Sequence, residues 1–450
     1  KRMHISLADF YPVANGETLD TYCFQRALDH LAARGGGTLS VPPGRYHLGT
    51  LVLGSNIHLH LEAGATLLAS ARIEDYQQHL TQSQAELSQH VLLYAAGQRN
   101  ITLSGKGVID GQGEAWFAVE KDEQGYRLPR PQRPRIIVFE DCQRVTLQDF
   151  TIVQAPMWTV HLVSCCHVHI DHLTIDNSMS MPNTDALDID SCEAVFVSNS
   201  YLSAADDAIC IKTTQKPAHL RRPVQKIMIT NCLLRSYSCA FKIGTETFDD
   251  IEDVTVSGCT IFDSNRAIGL LSRDGGAFRR LMFSNLTLAC RHAPPCHWGK
   301  ADALFVSVRA RDPAVVPGSI EQLQFSNVTG VMEGAINLHA ERHGQIRDVM
   351  LSNVQLRQTE AQGVEQGHYD VRPPCNPQSP TGMGPDNAYN LDAATGLALG
   401  VAAYPNGLLG VYAQGVENIT LPTHSTPRLQ PLTPGRRRHP VHTTYLAIRT

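Results

Sequence analysis

Short strands recurring at a nearly fixed interval constrain this chain more than any other feature. ITLSG at Ile101, VTLQD at Val145, VHIDH at Val168 and VFVSN at Val195 share one alternating pattern, as do IMITN at Ile227 and VTVSG at Val254. The pattern continues as LMFSN at Leu281, LQFSN at Leu323, VMLSN at Val349 and ITLPT at Ile419. Successive starts from Val145 to Leu281 lie 23, 27, 32, 27 and 27 residues apart. Each segment alternates apolar and polar residues, and most end in Ser, Asn, Asp or Gly, as a strand followed by a turn requires. Strands of this length cannot bury an inner face alone, so each coil must stack on the next. A β-propeller blade needs about 40 residues or more, which leaves a right-handed parallel β-helix as the expected all-β fold.

The flanking segments complete that layout. Asp20 to Arg34 places Phe24, Ala27, Leu28 and Leu31 on one helical face and runs into three glycines, which predicts an N-terminal capping helix. Such a helix would cover the open end of the solenoid. The expected organisation is one domain: cap and first coil over 1–50, main coils over 51–360, a long loop insertion over 360–409, and a last coil and tail over 410–450. A second irregular stretch, Gly111 to Arg135, also interrupts the repeat, and loops of this kind on a rigid solenoid shape binding clefts. The net charge of −5 supplies no positive field for nucleic acid, and no apolar run reaches the ~20 residues of a membrane span. Arg436 to Arg438 reads as a solvated tail. The twelve cysteines form no CxxC pair, and most sit in apolar runs, as buried free thiols do. CRHAPPCH, from Cys290 to His297, matches no zinc-site spacing and reads as a loop. The oligomeric state stays open, a monomer being slightly favoured, and so does the compartment, with no apolar leader among the first residues.

Within each period a second strand can be aligned: WTVHLV from Trp158, DALDID from Asp185, DAICIK from Asp207, CAFKIG from Cys239 and RAIGLL from Arg266. The third and fifth positions are apolar in every line and point inward, while the fourth and sixth point out. The alignment stacks Trp158, Asp185, Asp207, Cys239 and Arg266 in one column. His161, Asp188, Cys210, Lys242 and Gly269 form the next, and Val163, Asp190, Lys212, Gly244 and Leu271 a third. Asp185 and Asp207 become neighbours on adjacent coils about 4.8 Å apart, with Asp206 beside them. Crowded carboxylates suit a glycosidase, in which one acid protonates the leaving oxygen and an ionised partner activates water. A solvated polar face or a calcium site is the plainer alternative.

At these residues the chain resembles the polygalacturonase family of glycoside hydrolases, family 28. The resemblance covers roughly residues 5 to 360, through GGGTLSVPPGRY, LHLEAGATLLAS, IDGQGEAWF, PMWTVHL, NTDALDID and ADDAICIK. It implies that Asp206 is the general acid, that Asp185 and Asp207 position the attacking water, and that the anomeric configuration inverts. Asp206 is then expected across the bond from the other two, at about 6.5–9.5 Å. No cofactor or metal is expected. Two departures stand out: Cys239 replaces a histidine in a GHG-like turn, and Gly269, Leu270 and Leu271 replace the RIK triplet that grips a galacturonate carboxylate. Trp158, His161, Asp188, Lys212, Lys242, Glu246, Arg266 and Arg273 are the candidate substrate-binding residues, with Lys242, Arg266 and Arg273 as displaced substitutes for that grip and Trp158 as a sugar platform. The expected activity is inverting hydrolysis of a pectin-like poly- or oligosaccharide other than standard endo-polygalacturonase action. A polysaccharide lyase or uronate epimerase on this fold, or a non-catalytic carbohydrate-binding β-helix, are the alternatives.

Overall fold

A computed structural model describes residues 3–78, 80–83, 85–375, 390–421 and 447–449. Arg436 to Arg438, and with them most of the expected C-terminal tail, lie outside the described residues. The fold is a right-handed parallel β-helix whose chain divides into two compact units. One holds residues 1–206, 214–222 and 226–232; the other holds 207–213, 223–225 and 233–450.

In the first unit the aligned segments stack as read from the sequence. Ile101 pairs in register with Val145, Val145 with Val168, and Val168 with Val195. The second line runs through Val91–Ala96, Arg135–Glu140, Val160–Val163 and Leu187–Asp190, with His161 opposite Asp188. A third line, Val108–Asp110, Thr151–Val153 and Thr174–Asp176, completes three strands per coil. Inward-facing residues such as Leu147, Ile170 and Val197 are almost completely buried. Each such aliphatic side chain contributes about 1.5–3 kcal/mol on leaving water. The cap is a helix over Thr21–Ala32 that buries Phe24, Ala27, Leu28 and Leu31, the four residues expected on its inner face. It ends as the Gly36 N–H turns back to the Leu31 carbonyl, in a run of glycines at positive φ that side chains disfavour.

The second unit repeats the logic. Val254, Leu281, Leu323, Val349 and Ile419 stack in one register. The other line comprises Ile209–Thr213, Cys239–Thr247, Arg266–Ser272, Leu304–Val308, Ile336–Ala340 and Val411–Gln414. The terminal asparagines of the repeats have a physical role. Asn285, Asn327 and Asn353 all adopt positive φ, and their amides form a ladder, with Asn327 donating to Asn285 at 3.3 Å and Asn353 to Asn327 at 3.0 Å. The twelve cysteines are all free, as expected.

Leu147 is wholly buried between Leu103 and Ile170 on neighbouring coils. Leu147→Ala should therefore cost about 2–5 kcal/mol, read as a lower urea midpoint with an unchanged far-ultraviolet spectrum.

Candidate active site

The outward positions of the second strand line are not open surface. In the first unit, His161, Asp188 and Asp190 have no exposed area. Asp190 is a hub. It accepts from His161 Nε2 at 2.9 Å, the Thr214 N–H at 3.0 Å, Thr214 Oγ1 at 2.5 Å and Lys216 Nζ at 3.0 Å. His161 Nδ1 faces Arg135 Nη1 at 2.6 Å, and burial holds the imidazole down to about 4, so it is neutral near pH 7. Trp158 lies under the Arg135 guanidinium at 4.6 Å and edge-on to His161 at 5.0 Å. The expectation that Trp158, His161 and Asp188 contact sugar is corrected: all three are buried, Trp158 packs with Ala85 and Met157, and the Ala85 carbonyl takes a hydrogen bond from Arg135 Nη2 at 2.7 Å.

Asp185 is buried, whereas Asp206 keeps partial exposure. The two bring carboxylate oxygens within 4.8 Å of one another. Asp207 follows Asp206 by one peptide bond. Sequence reasoning missed Arg133. Its guanidinium donates to the Pro156 and Pro182 carbonyls at 3.1 and 3.0 Å and to Asn183 Oδ1 at 2.9 Å, bracing the turn that carries Asp185. Burial lowers its pKa, opposed in part by the charge of Asp206.

In the second unit, Asp207 accepts the Cys239 N–H at 3.2 Å on one oxygen and faces Lys242 Nζ at 3.4 Å with the other. Burial works against the Lys242 charge, yet Asp207, with Cys210 and Cys239, raises the pKa on balance. The Cys239 thiol is pushed up to about 11, chiefly by burial, so it is no thiolate nucleophile. Lys212 and Glu246 pair with each other at 2.9 Å; burial alone would raise the Glu246 carboxyl, but Lys212 holds it down to about 2. The stretch after Cys290, read as a plain loop, belongs beside the site: Trp298 lies 5.5 Å from Lys242 Nζ, and burial lowers His297 to about 4 against the pull of Asp207. Its single tryptophan among small and polar residues was the available signal.

Arg266 and Arg273 are also corrected as substrate cations. Arg266 stacks on Phe305 at 3.9 Å and donates to the Asp370 carbonyl at 2.5 Å. Arg273 donates to the carbonyls of Pro373, Ser307 and Val371 at 3.0, 3.2 and 2.9 Å. Gly269 is a close-approach position, where an added Cβ would meet Cys239 Sγ at 2.7 Å. The two departures from the family pattern are thus coupled sterically: the thiol occupies the space a side chain at 269 would need.

Asp190 generates a pH prediction. Burial would raise its pKa, but Lys216 and His161 hold it far below the ordinary 3.8. A depressed carboxylate contributes stability that is present above that ordinary value and is lost as pH falls through it. Urea denaturation should therefore show wild-type stability declining below about pH 4, with less of that decline in Asp190→Asn. At pH 7 the variant should be weaker by about 3–5 kcal/mol, since Lys216 loses its buried counter-charge.

Comparison with known proteins agrees with this architecture. The chain is 28% identical over 277 residues to a probable polygalacturonase of Vitis vinifera, covering 58% of this chain and 56% of the relative. It is 24% identical over 331 residues to an exo-poly-α-D-galacturonosidase of Dickeya chrysanthemi, covering 62% and 54%. The matched part thus spans a little over half the length of these curated relatives. The exopolygalacturonase structure from Thermotoga maritima superposes with a TM-score of 0.66 at 22% identity, covering 80% of this chain and 88% of that one. The model of the glycosyl hydrolases family 28 matches residues 34–368. The chain belongs to glycosyl hydrolases family 28.

Proposed function

We propose that the chain hydrolyses a glycosidic bond in a pectin-like poly- or oligosaccharide, with Asp206 as general acid and Asp185 and Asp207 positioning the attacking water. The observation that carries this reading is the convergence of the Asp185 and Asp206 carboxylates, with Asp207 one residue on. Asp206 retains the exposure a proton donor to a leaving oxygen needs, while Asp185 and Asp207 are buried, as groups that hold a water rather than a sugar can be. Lys242 supplies Asp207 with a fixed counter-charge. Asp206→Asn should lower kcat by ~10²-fold or more with the fold intact. Near-normal turnover would remove Asp206 from the acid role. Activity should survive EDTA; loss that calcium restores would favour the lyase reading.

Inversion is implied by the family resemblance, and retention, with one aspartate as nucleophile, is the alternative. Inverting enzymes set their carboxyl groups about 6.5–9.5 Å apart and retaining ones about 5–5.5 Å. Proton NMR of the first product decides between them, with the inverted anomer expected and the retained anomer assigning a nucleophile.

The cations near the site all have protein partners: Lys242 with Asp207, Lys212 with Glu246, Arg266 and Arg273 with backbone carbonyls. Gly269 and Leu271 offer no charge to a uronate. Unsubstituted polygalacturonate should consequently be a poor substrate beside branched or neutral-sugar pectic oligosaccharides in a reducing-end assay. Rapid depolymerisation of the unsubstituted polymer would overturn that expectation.

A further inference from the structure

In the first unit, the strand Ile57–Leu61 alternates buried Ile57, Leu59 and Leu61 with His58 and His60, so both imidazoles stand on its outward face. Each histidine is partly exposed. The register puts Thr38 and Thr102 beside His58, and Ser40 and Ser104 beside His60, one from each neighbouring coil. The two rings aim at one atom. His58 Nε2 lies 2.5 Å from Ser104 Oγ, and His60 Nδ1 lies 2.8 Å from the same oxygen. Their planes meet edge to face at 87°, with centroids 5.8 Å apart. A serine has one hydroxyl proton, so it can donate to only one of these nitrogens. One imidazole is enough to partner a serine on these coils, as His4 Nε2 shows by meeting Ser40 Oγ at 2.7 Å.

Two imidazole nitrogens converging on one point, with a hydroxyl oxygen between them, form a donor set that suits zinc or copper. The four neighbours in register carry hydroxyls and no charge, so no ammonium or guanidinium at those positions opposes a cation. Partial exposure gives an ion and its remaining waters a way in. Calcium and magnesium prefer carboxylate and carbonyl oxygen, which this pair does not offer. We propose that His58 and His60 bind one divalent transition-metal ion of the zinc or copper class, with Ser104 Oγ and water as the further ligands. Zinc takes imidazole nitrogen at about 2.0–2.1 Å, so the two rings close on the ion by small side-chain rotations. The ion ties the strand Ile57–Leu61 to Arg99–Gly105 on the next coil. The site shares no residue with the aspartate group and does not depend on the hydrolase reading.

The test titrates zinc chloride into the full chain near neutral pH by calorimetry, after EDTA treatment and removal of the chelator. His58→Gln and His60→Gln should each weaken the zinc affinity by about 10-fold or more, since even an outer-shell partner of a ligand is worth 10- to 100-fold. His4→Gln, which leaves the converging pair in place, should bind zinc as the wild type does. Glutamine can still hydrogen-bond to Ser104, and an unchanged circular dichroism spectrum without zinc confirms that each variant is folded. Zinc bound to the folded chain should also raise Tm, EDTA should reverse the rise, and both pair variants should lack it. Wild-type affinity in either pair variant overturns the proposal, as does the absence of saturable binding below millimolar zinc. Displacement of the zinc by equimolar calcium overturns it too, because the ion would then sit among carboxylates.

Discussion

Parallel pairing of one strand to its equivalent on the next coil is the constraint from which the rest of this structure follows. Hydrogen bonding fixes the step between coils at about 4.8 Å, and the inward apolar residues fix the register, because a slip of one residue would turn each of them to the wrong face. Once the register is set, the residues that point outward have no freedom in which column they join. Asp188 stands opposite His161, and Lys242 opposite Cys210 and Gly269, as a consequence of where the valines and isoleucines lie.

That stacking creates an electrostatic problem as well as a site. Outward charges one coil apart sit close together, and here the chain covers them. A covered charge must find a partner or leave the ionised state. Asp190 finds His161, Thr214 and Lys216; Lys242 finds Asp207; Lys212 finds Glu246. Asp302 shows the other outcome. Burial drives its pKa up to about 7, beyond what Arg266 and Lys300 counter. Asp206 keeps partial exposure, whereas Asp185 and Asp207 are buried.

The replacements at 239 and 269–271 make sense in the same frame. A thiol at 239 and a bare backbone at 269 fit against each other, and the apolar Leu271 packs with Phe305 and Val371 of the covering strap. The 368–373 segment sits on that face through Val371 and the carbonyls that Arg266 and Arg273 hold.

The sequence by itself determined the β-helix, the capping helix and the columns, because each depends on a local pattern repeated every coil. Phe24, Ala27, Leu28 and Leu31 fell on the buried helical face, and Val145 met Val168 and Val195, for that reason. The convergence of Asp185 with Asp206 was legible through the same register. What lay over the columns was not. Trp298 and Asp370 reach the site from stretches without periodicity, and Arg273 meets Val371 across 98 residues of chain. His161, Arg266 and Arg273 looked like outward polar residues available to a sugar, and only the tertiary structure decided that they are enclosed. Strand alternation dictates which face a side chain points to; whether water reaches that face depends on where a distant, aperiodic segment folds back.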